Sequence, residues 1–295
     1  MTDHDLQLAR RHKWHTDGHP IRTLEEARAF VQSIGLCRMY LQKPAVLLPT
    51  FFGAYLGSDS DLPEWQHAYR HPRSAEATEL MVRLLRQRFA YEANLFGENN
   101  FLLSAEVFPF FYALVGDRNP KQDARKARGE KLSPLAQDTF SAIQQHGPLS
   151  KQQLAEILGG APSAAALDRA LGELWSRLKI NRVGYSQQEG ASWDVLYRWS
   201  PEVVQEGINL SVGEGLSALI SKYLDCVVAA ELTEIEDFFS HMVARSRVRE
   251  AVNALLAARE FSFLTVGRRT LIQMTPPASS AAHTRAGRTP TRKPA

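Results

Sequence analysis

From Gly147 to Trp199 the chain reads GPLSKQQLAEILGGAPSAAALDRALGELWSRLKINRVGYSQQEGASWDVLYRW. Gly147-Pro148 breaks a helix expected over 134–145. Ser150-Lys151-Gln152-Gln153 then offers a capping box, in which a hydroxyl and a side chain three residues on satisfy backbone groups left orphaned where a helix starts. Leu154 and Ile157 follow, and Gly159-Gly160 closes this short helix, because glycine takes a left-handed C-cap at little cost. A longer helix starts near Ser163 and carries Leu167, Leu171, Leu174 and Leu178 on one face. Ile180 to Tyr185 and Trp193 to Trp199, joined by a polar Gln187–Ser192 turn, read as a hairpin. Helix, turn, capped short helix, longer helix, hairpin is the plan of a winged helix-turn-helix.

The order recurs downstream. A helix is expected over about Glu214 to Val228. Thr233-Glu234-Ile235-Glu236 caps a short helix with Ile235, Phe238 and Phe239, and a third helix buries Val248, Val252, Leu255 and Leu256. Phe261 to Val266 and Thr270 to Met274 then flank Gly267-Arg268-Arg269 as a second hairpin. The expected fold class is mainly α with small β-hairpin wings, a tandem winged helix-turn-helix, in preference to an unrelated α+β packing. Upstream, Thr23-Leu24-Glu25-Glu26 caps a helix bearing Leu24, Ala27, Phe30, Val31 and Ile34, which Gly35 ends. An apolar segment runs from Leu36 to Leu56. Ala75 to Phe89 reads as a helix with Leu80, Leu84 and Leu85 inward and Arg83, Arg86 and Arg88 outside.

These pieces divide the chain into an N-terminal arm at 1–21, a helical domain at 22–116, a basic linker at 117–133, winged-helix units at 134–205 and 206–275, and a basic tail at 276–295. The arm holds Arg10-Arg11-His12-Lys13-Trp14-His15 without apolar periodicity and is expected to be loosely attached. The linker stretch DRNPKQDARKARGEK contains six Lys or Arg and no large apolar residue, which marks an exposed connection. The tail has four prolines and no acid, too little apolar surface to offset ordering, and is expected to be disordered.

Composition narrows the function classes. The 295 residues are 44% hydrophobic and 23% charged, an ordinary soluble mix. Thirty-five Lys and Arg against 32 Asp and Glu give +3, a mildly basic balance compatible with a polyanionic partner. Cys37 and Cys226 stand far apart, which excludes a disulfide scaffold and a zinc knuckle. No apolar run approaches the roughly 18–20 residues of a membrane helix. Met1 to Lys13 lacks a secretory signal's apolar core, so a cytoplasmic protein is expected. His12, His15 and His19 lie on a polar arm without a cysteine partner, and Gly213-Glu214-Gly215 lacks the third glycine of a dinucleotide fingerprint. Neither a metal nor a cofactor is expected.

In a helix-turn-helix the third helix enters the DNA major groove. The candidates for that role are Arg169, Arg177 and Lys179, with Arg182 starting the wing. In the second unit they are Arg245, Arg247 and Arg249, with Arg268 and Arg269 at the wing tip. Each cation that neutralises a phosphate releases counterions, so affinity for double-stranded DNA should fall steeply with salt. Oligomeric state is not legible in these patterns.

Further residues carry a family likeness. Phe89-Ala90-Tyr91-Glu92-Ala93-Asn94-Leu95 resembles the W-A-H-E-A-S-L region of AlkZ-like (YcaQ-like) winged-helix DNA glycosylases. AIQQHGPLSKQQL, from Ala142 to Leu154, is similar to that family's R-G-P-L-T helix-turn segment, and Asp168 to Trp175 to its K-R-A-L-x-x-L-W run. The similarity spans about Arg22 to Met274. It implies tandem winged helices with a third unit in the N-terminal third, a concave face for DNA, and metal-independent hydrolysis of the N-glycosidic bond of alkylated or crosslinked bases.

The family's Q-x-D or Q-x-Q motif, thought to position the attacking water, falls on Arg38-Met39-Tyr40, and Tyr91 stands where the family has His. A guanidinium has no acceptor for the water's proton and suits a phosphate better. Arg38, Tyr40, Arg86, Arg88 and Tyr91 are therefore expected to line a DNA-facing groove. Glu92 is the candidate general base, set against an ordinary helical ion pair with Arg88 four residues earlier. The expected function is recognition of damaged duplex DNA with altered or lost base excision. The alternatives are an active glycosylase with a non-standard catalytic residue and a winged-helix transcriptional regulator.

Overall fold

The computed structural model describes residues 2–42, 46–94, 100–122, 132–160, 162–186 and 188–276. The expected loose arm is instead a docked helix, α1 (Asp3–Lys13). Thr2 caps it, accepting from the Asp5 amide at 3.1 Å and donating its own amide to the Asp5 carboxylate at 2.7 Å. Leu6 is fully buried. The reason for docking lies far along the chain, where a helix ending at Val227 leaves carbonyls without intrahelical partners. Arg10 donates from Nε to Val227 O at 2.9 Å and from Nη2 to Ala229 O at 2.7 Å. Trp14 Nε1 donates to Cys226 O at 2.9 Å. A cation at a helix C-terminus is further favoured by the helix dipole.

The Thr23 box forms as its sequence dictates, with the Glu26 amide on Thr23 Oγ1 at 3.2 Å, and opens α2 (Leu24–Ile34). Gly35, at φ 75°, turns the chain into β1 (Leu36–Arg38). There follow α3 (Phe51–Leu56), α4 (Trp65–Ala68), α5 (Ser74–Arg86), β2 (Ala90–Asn94), β3 (Asn100–Ser104) and α6 (Phe108–Val115). Glu92 thus sits on a strand, opposite Leu102. Arg88, at φ 58°, lies past the end of α5 and donates to Trp199 O at 3.1 Å, which removes the anticipated helical pair with Glu92.

The middle unit comprises α7 (Pro134–His146), β4 (Leu149–Ser150), α8 (Lys151–Ile157), α9 (Ala164–Trp175), β5 (Ile180–Ser186), β6 (Gly190–Val195) and α10 (Leu196–Trp199). Next are α11 (Pro201–Asn209), α12 (Val212–Val227), β7 (Ala229–Ala230), α13 (Leu232–Phe239), α14 (Arg245–Ala257), β8 (Phe261–Val266) and β9 (Arg269–Met274). Several boundaries differ from expectation, two of them in how an element begins or ends. Glu231 rather than Thr233 opens α13, its amide donating to the Glu234 carboxylate at 2.8 Å. The hairpin ends at Val195, and Leu196 to Trp199 turn into α10. Among the described residues the three sheets are ordered β1-β3-β2, β4-β6-β5 and β7-β9-β8, all antiparallel. In each, a short strand after the first helix adds to the wing hairpin.

Packing does not follow chain order. Phe30, Ile34 and Phe101 from the first unit share one core with Leu219, Tyr223 and Phe238 from the last. The rings of Phe101 and Phe238 lie 6.2 Å apart. The middle unit keeps its own core of Phe140, Ile143, Leu154, Leu171, Leu174 and Trp193. The beginning of the linker is anchored, with Lys179 Nζ 2.5 Å from Asp117 Oδ2 and Arg118 donating to Leu210 O at 2.7 Å. The rest of it, 123–131, and the tail from 277 lie outside the described residues. Among the described residues no helix is long and apolar enough to cross a membrane.

Candidate functional site

The seam between the two cores is built around Glu92. Side chains alternate along β2, so Tyr91 and Glu92 face opposite ways. Tyr91 turns into the main core, stacked on Phe108 with centroids 4.4 Å apart and its hydroxyl 2.5 Å from Ser200 Oγ. Burial holds that hydroxyl above the ordinary tyrosine value. Glu92, 4% exposed, turns toward the wing of the middle unit. Its Oε1 accepts from Arg182 Nη1 at 2.9 Å and its Oε2 from the Tyr185 hydroxyl at 2.6 Å. Its carbonyl accepts from Trp175 Nε1 at 3.1 Å.

Arg182 and Tyr185 are three apart and would face opposite sides of a regular strand. A register shift between Arg182 and Gly184 inserts Val183 as an extra residue and resets the alternation. Both side chains therefore reach one carboxylate. The Arg182 guanidinium lies over the rings of Trp175 and Trp193, at 4.3 and 5.0 Å from their centroids. Burial opposes its charge, but Glu92 and Tyr185 outweigh that, and Arg182 stands above its ordinary value. Burial, reinforced by the Glu92 charge, pushes the Tyr185 phenol up, so it remains a donor.

A cavity of about 210 Å³ opens beside this triad. Met39, Met81 and Trp65 give apolar walls, while Tyr40, Thr78, Glu92, Arg182 and Tyr185 supply polar edges. The Tyr40 hydroxyl is held by Ser74 Oγ at 2.8 Å and Thr78 Oγ1 at 3.0 Å. Arg86, exposed on α5, donates to the backbone carbonyl of Tyr185 at 2.8 Å and ties α5 to the wing.

A family model described as DNA glycosylase AlkZ-like matches residues 56–293. The chain belongs to the AlkZ-like family. The structure of Streptomyces sahachiroi DNA glycosylase AlkZ aligns with a TM-score of 0.62 over 93% of this chain and 70% of that one, at 11% identity, which shows a shared fold. No curated protein sequence matches the chain.

The positions of the AlkZ-like resemblance separate in space. Arg38 is 3% exposed, donates to Gln42 O at 2.8 Å and lies 5.5 Å from the Phe101 ring. Burial lowers its guanidinium from the ordinary arginine value. Arg38 and Tyr91 are therefore interior groups, which corrects their expected place in an open groove. Tyr40 and Glu92 do share the cavity, whereas Arg86 is tied to the wing and Arg88 is drawn off to α10.

Most of the expected phosphate contacts already have protein partners. Lys179 is buried against Asp117, which corrects its assignment as a surface cation. Arg177 pairs with Glu173 at 3.4 Å, Arg249 with Glu236 at 2.7 Å, and Arg245 with Asp237. Arg269 ties the last wing to Asp3 of α1. Arg169 on α9, Arg247 on α14 and Arg268 at the β8–β9 turn are exposed. Trp65 and Tyr185 were missed from the sequence as site residues. Trp65 gave a faint signal as an isolated tryptophan in a polar stretch, but Tyr185 gave none, because the bulge that aims it is a tertiary feature.

Proposed function

We propose that this AlkZ-like chain binds duplex DNA and recognises damaged sites, with base excision altered or lost. The observation that carries the reading is the state of the one carboxylate lining the cavity among the described residues. Glu92 has a donor on each oxygen, one of them a guanidinium, so it can accept a further hydrogen bond, but taking up a proton would break the ion pair and leave Arg182 without its countercharge. Hydrolysis of an N-glycosidic bond needs an acceptor for the water's proton as positive charge grows on the sugar. Arg38 cannot accept, and the Tyr40 hydroxyl is engaged with two other hydroxyls. The exposed Arg169, Arg247 and Arg268 support a salt-sensitive contact with phosphates.

The deciding experiment incubates the protein with duplexes carrying N3- or N7-alkylated purines or an interstrand crosslink, and scores both binding and abasic product. Lesion-selective binding without product is expected. Abasic product that Glu92→Gln abolishes would establish an active glycosylase with Glu92 as its base. Preference for one undamaged sequence would establish a regulator.

A further inference from the structure

The stretch from Trp65 to Arg73, WQHAYRHPR, turns two aromatic rings outward. Trp65 is 49% exposed and Tyr69 71%, in a protein that buries most of its large apolar side chains. The two stand four residues apart on α4 and its C-cap, so they share one face of a helical turn. The backbone holds them there. The Trp65 amide donates to Leu41 O at 2.9 Å, the Arg70 amide to His67 O at 3.0 Å and the Ser74 amide to His71 O at 3.0 Å. Ala68, between the two rings in sequence, is buried, and the His71 ring packs edge-on against Phe52 with centroids 5.0 Å apart. Charge accompanies the rings, since the stretch carries two arginines and two histidines and no acid. Arg73 is committed to Glu76 at 3.1 Å. Arg70 has no carboxylate partner among the described residues. Its Nε donates to the Tyr69 hydroxyl at 3.1 Å, and its guanidinium lies 5.5 Å from that ring's centroid.

We infer that this turn is a contact surface for single-stranded DNA, with bases against Tyr69 and Trp65 and Arg70 on the backbone phosphate beside them. The inference rests on the DNA-binding reading above and adds an unpaired strand as a second partner, on a surface whose Tyr69 and Arg70 do not line the seam cavity. Proteins hold single strands without sequence preference by joining cations that track the backbone to aromatic rings on which bases stack. A paired duplex keeps its base faces covered by stacking, so rings fixed at a protein surface gain little from it. An unpaired strand offers a base face and a phosphate with every nucleotide. A protein partner would call for an apolar centre to the patch, whereas the side chains beside these rings, Gln66, His67 and Arg70, are polar and exposed.

The test measures the affinity of the full chain for matched duplex and for an oligothymidine on the order of 12 nucleotides, within the span such surfaces cover. Tyr69→Ala should weaken oligothymidine binding on the order of tenfold, the scale of one base–aromatic stack, and leave duplex affinity unchanged, while Tyr69→Phe retains most of it. Arg70→Gln should lower the slope of log affinity against log salt for the single strand by about 0.7. Bound oligothymidine should also shield Trp65, the one exposed tryptophan among the described residues, from acrylamide quenching. Oligothymidine binding that Tyr69→Ala leaves intact, its absence in a protein that binds duplex, or an equal loss on both DNAs overturns the single-strand surface and leaves DNA binding standing. A dimer in sedimentation that Tyr69→Ala dissolves would assign the face to a second copy and overturn the inference too. Failure to bind either DNA overturns both readings.

Discussion

Replacing Arg182 by methionine isolates the interaction on which the seam depends. The variant leaves Glu92 buried with the Tyr185 hydroxyl as its remaining side-chain donor. Removing one member of a buried ion pair costs about 3–5 kcal/mol, chiefly because the other charge remains desolvated. Glu92 is 4% exposed and its partner side chain 24%, so water reaches the pair from the cavity side and the lower end applies. The guanidinium also gives up two aromatic faces, a loss of up to about 2 kcal/mol that a methionine sulfur between the same rings partly restores. A net loss of about 3 kcal/mol is expected. Trp175 and Trp193 sit at the altered position, so denaturation followed by tryptophan fluorescence reports on it directly. Glu92→Met alone should cost less, because a partly exposed Arg182 can turn to solvent. The double variant should return to within about 2 kcal/mol of the parent, since an apolar pair replaces an ionic one with only the Tyr185 hydroxyl unmatched. A single-variant cost below about 1 kcal/mol, or a double variant as unstable as the sum of the singles, would refute the claim that the pair is coupled and desolvated.

Three further outcomes are expected. Leu6→Ala should cost about 2–5 kcal/mol, as for other fully buried leucines, and expose α1 to limited proteolysis; an unchanged digestion pattern would mean that the helix is not held by its buried face. Asp17 is held down to about 2 by the hydrogen bond from His12 first and that from His19 as well, so its contribution to stability is full above the unfolded value near 3.9 and is lost as pH falls toward 2; Asp17→Asn should flatten the acid limb of a denaturant-midpoint profile in that window. Arg169→Ala should reduce the slope of log affinity against log salt by about 0.9 if that exposed cation meets a phosphate, whereas Arg177→Ala, already paired with Glu173, should change it less.

Local chemistry was legible in the sequence, and distant chemistry was not. The caps at Thr23 and Ser150 involve partners three residues away, and both helices start where those residues said they would. Hairpins and leucine faces are likewise local patterns. The capping pair Thr2 and Asp5 was a local sign of a helix, but the docking of α1 depends on carbonyls that Arg10 meets 217 residues later and left no such sign. Glu92 was singled out, but with the wrong partner. Arg88 satisfied helical spacing on paper, yet the chain leaves α5 through a positive φ there and continues as a strand. Arg182, named as a wing cation, is the true partner, 90 residues on. The pairing of several phosphate candidates escaped notice for a related reason. Counting arginines on a helix face says nothing of the acids opposite, and Glu236 and Asp237 on α13 take two of the three arginines assigned to α14.

The division into two cores explains why recognition chemistry would collect at this seam. The middle unit sends Leu178, Leu196 and Trp199 into the main core, and polar links give that packing its direction: Glu92 with Arg182 and Tyr185, Trp175 with Glu92 O, Arg86 with Tyr185 O, and Arg88 with Trp199 O. Such links contribute little net energy compared with apolar packing, but their directionality fixes one arrangement of donors and acceptors. A wing held in this way cannot also extend Arg182 to a phosphate. What the wing loses as a basic finger it gains as a wall, because the same bulge that turns Tyr185 toward Glu92 also closes one side of the cavity. Straightening the strand by giving Val183 a partner, with one residue inserted between Ser192 and Trp193 on β6, should therefore separate the two properties. It would turn Tyr185 away and open the cavity while leaving the core of the middle unit intact. A variant that stays folded and binds duplex DNA yet loses lesion-selective binding would show that this wing acts by shaping the pocket and not by touching the backbone of DNA.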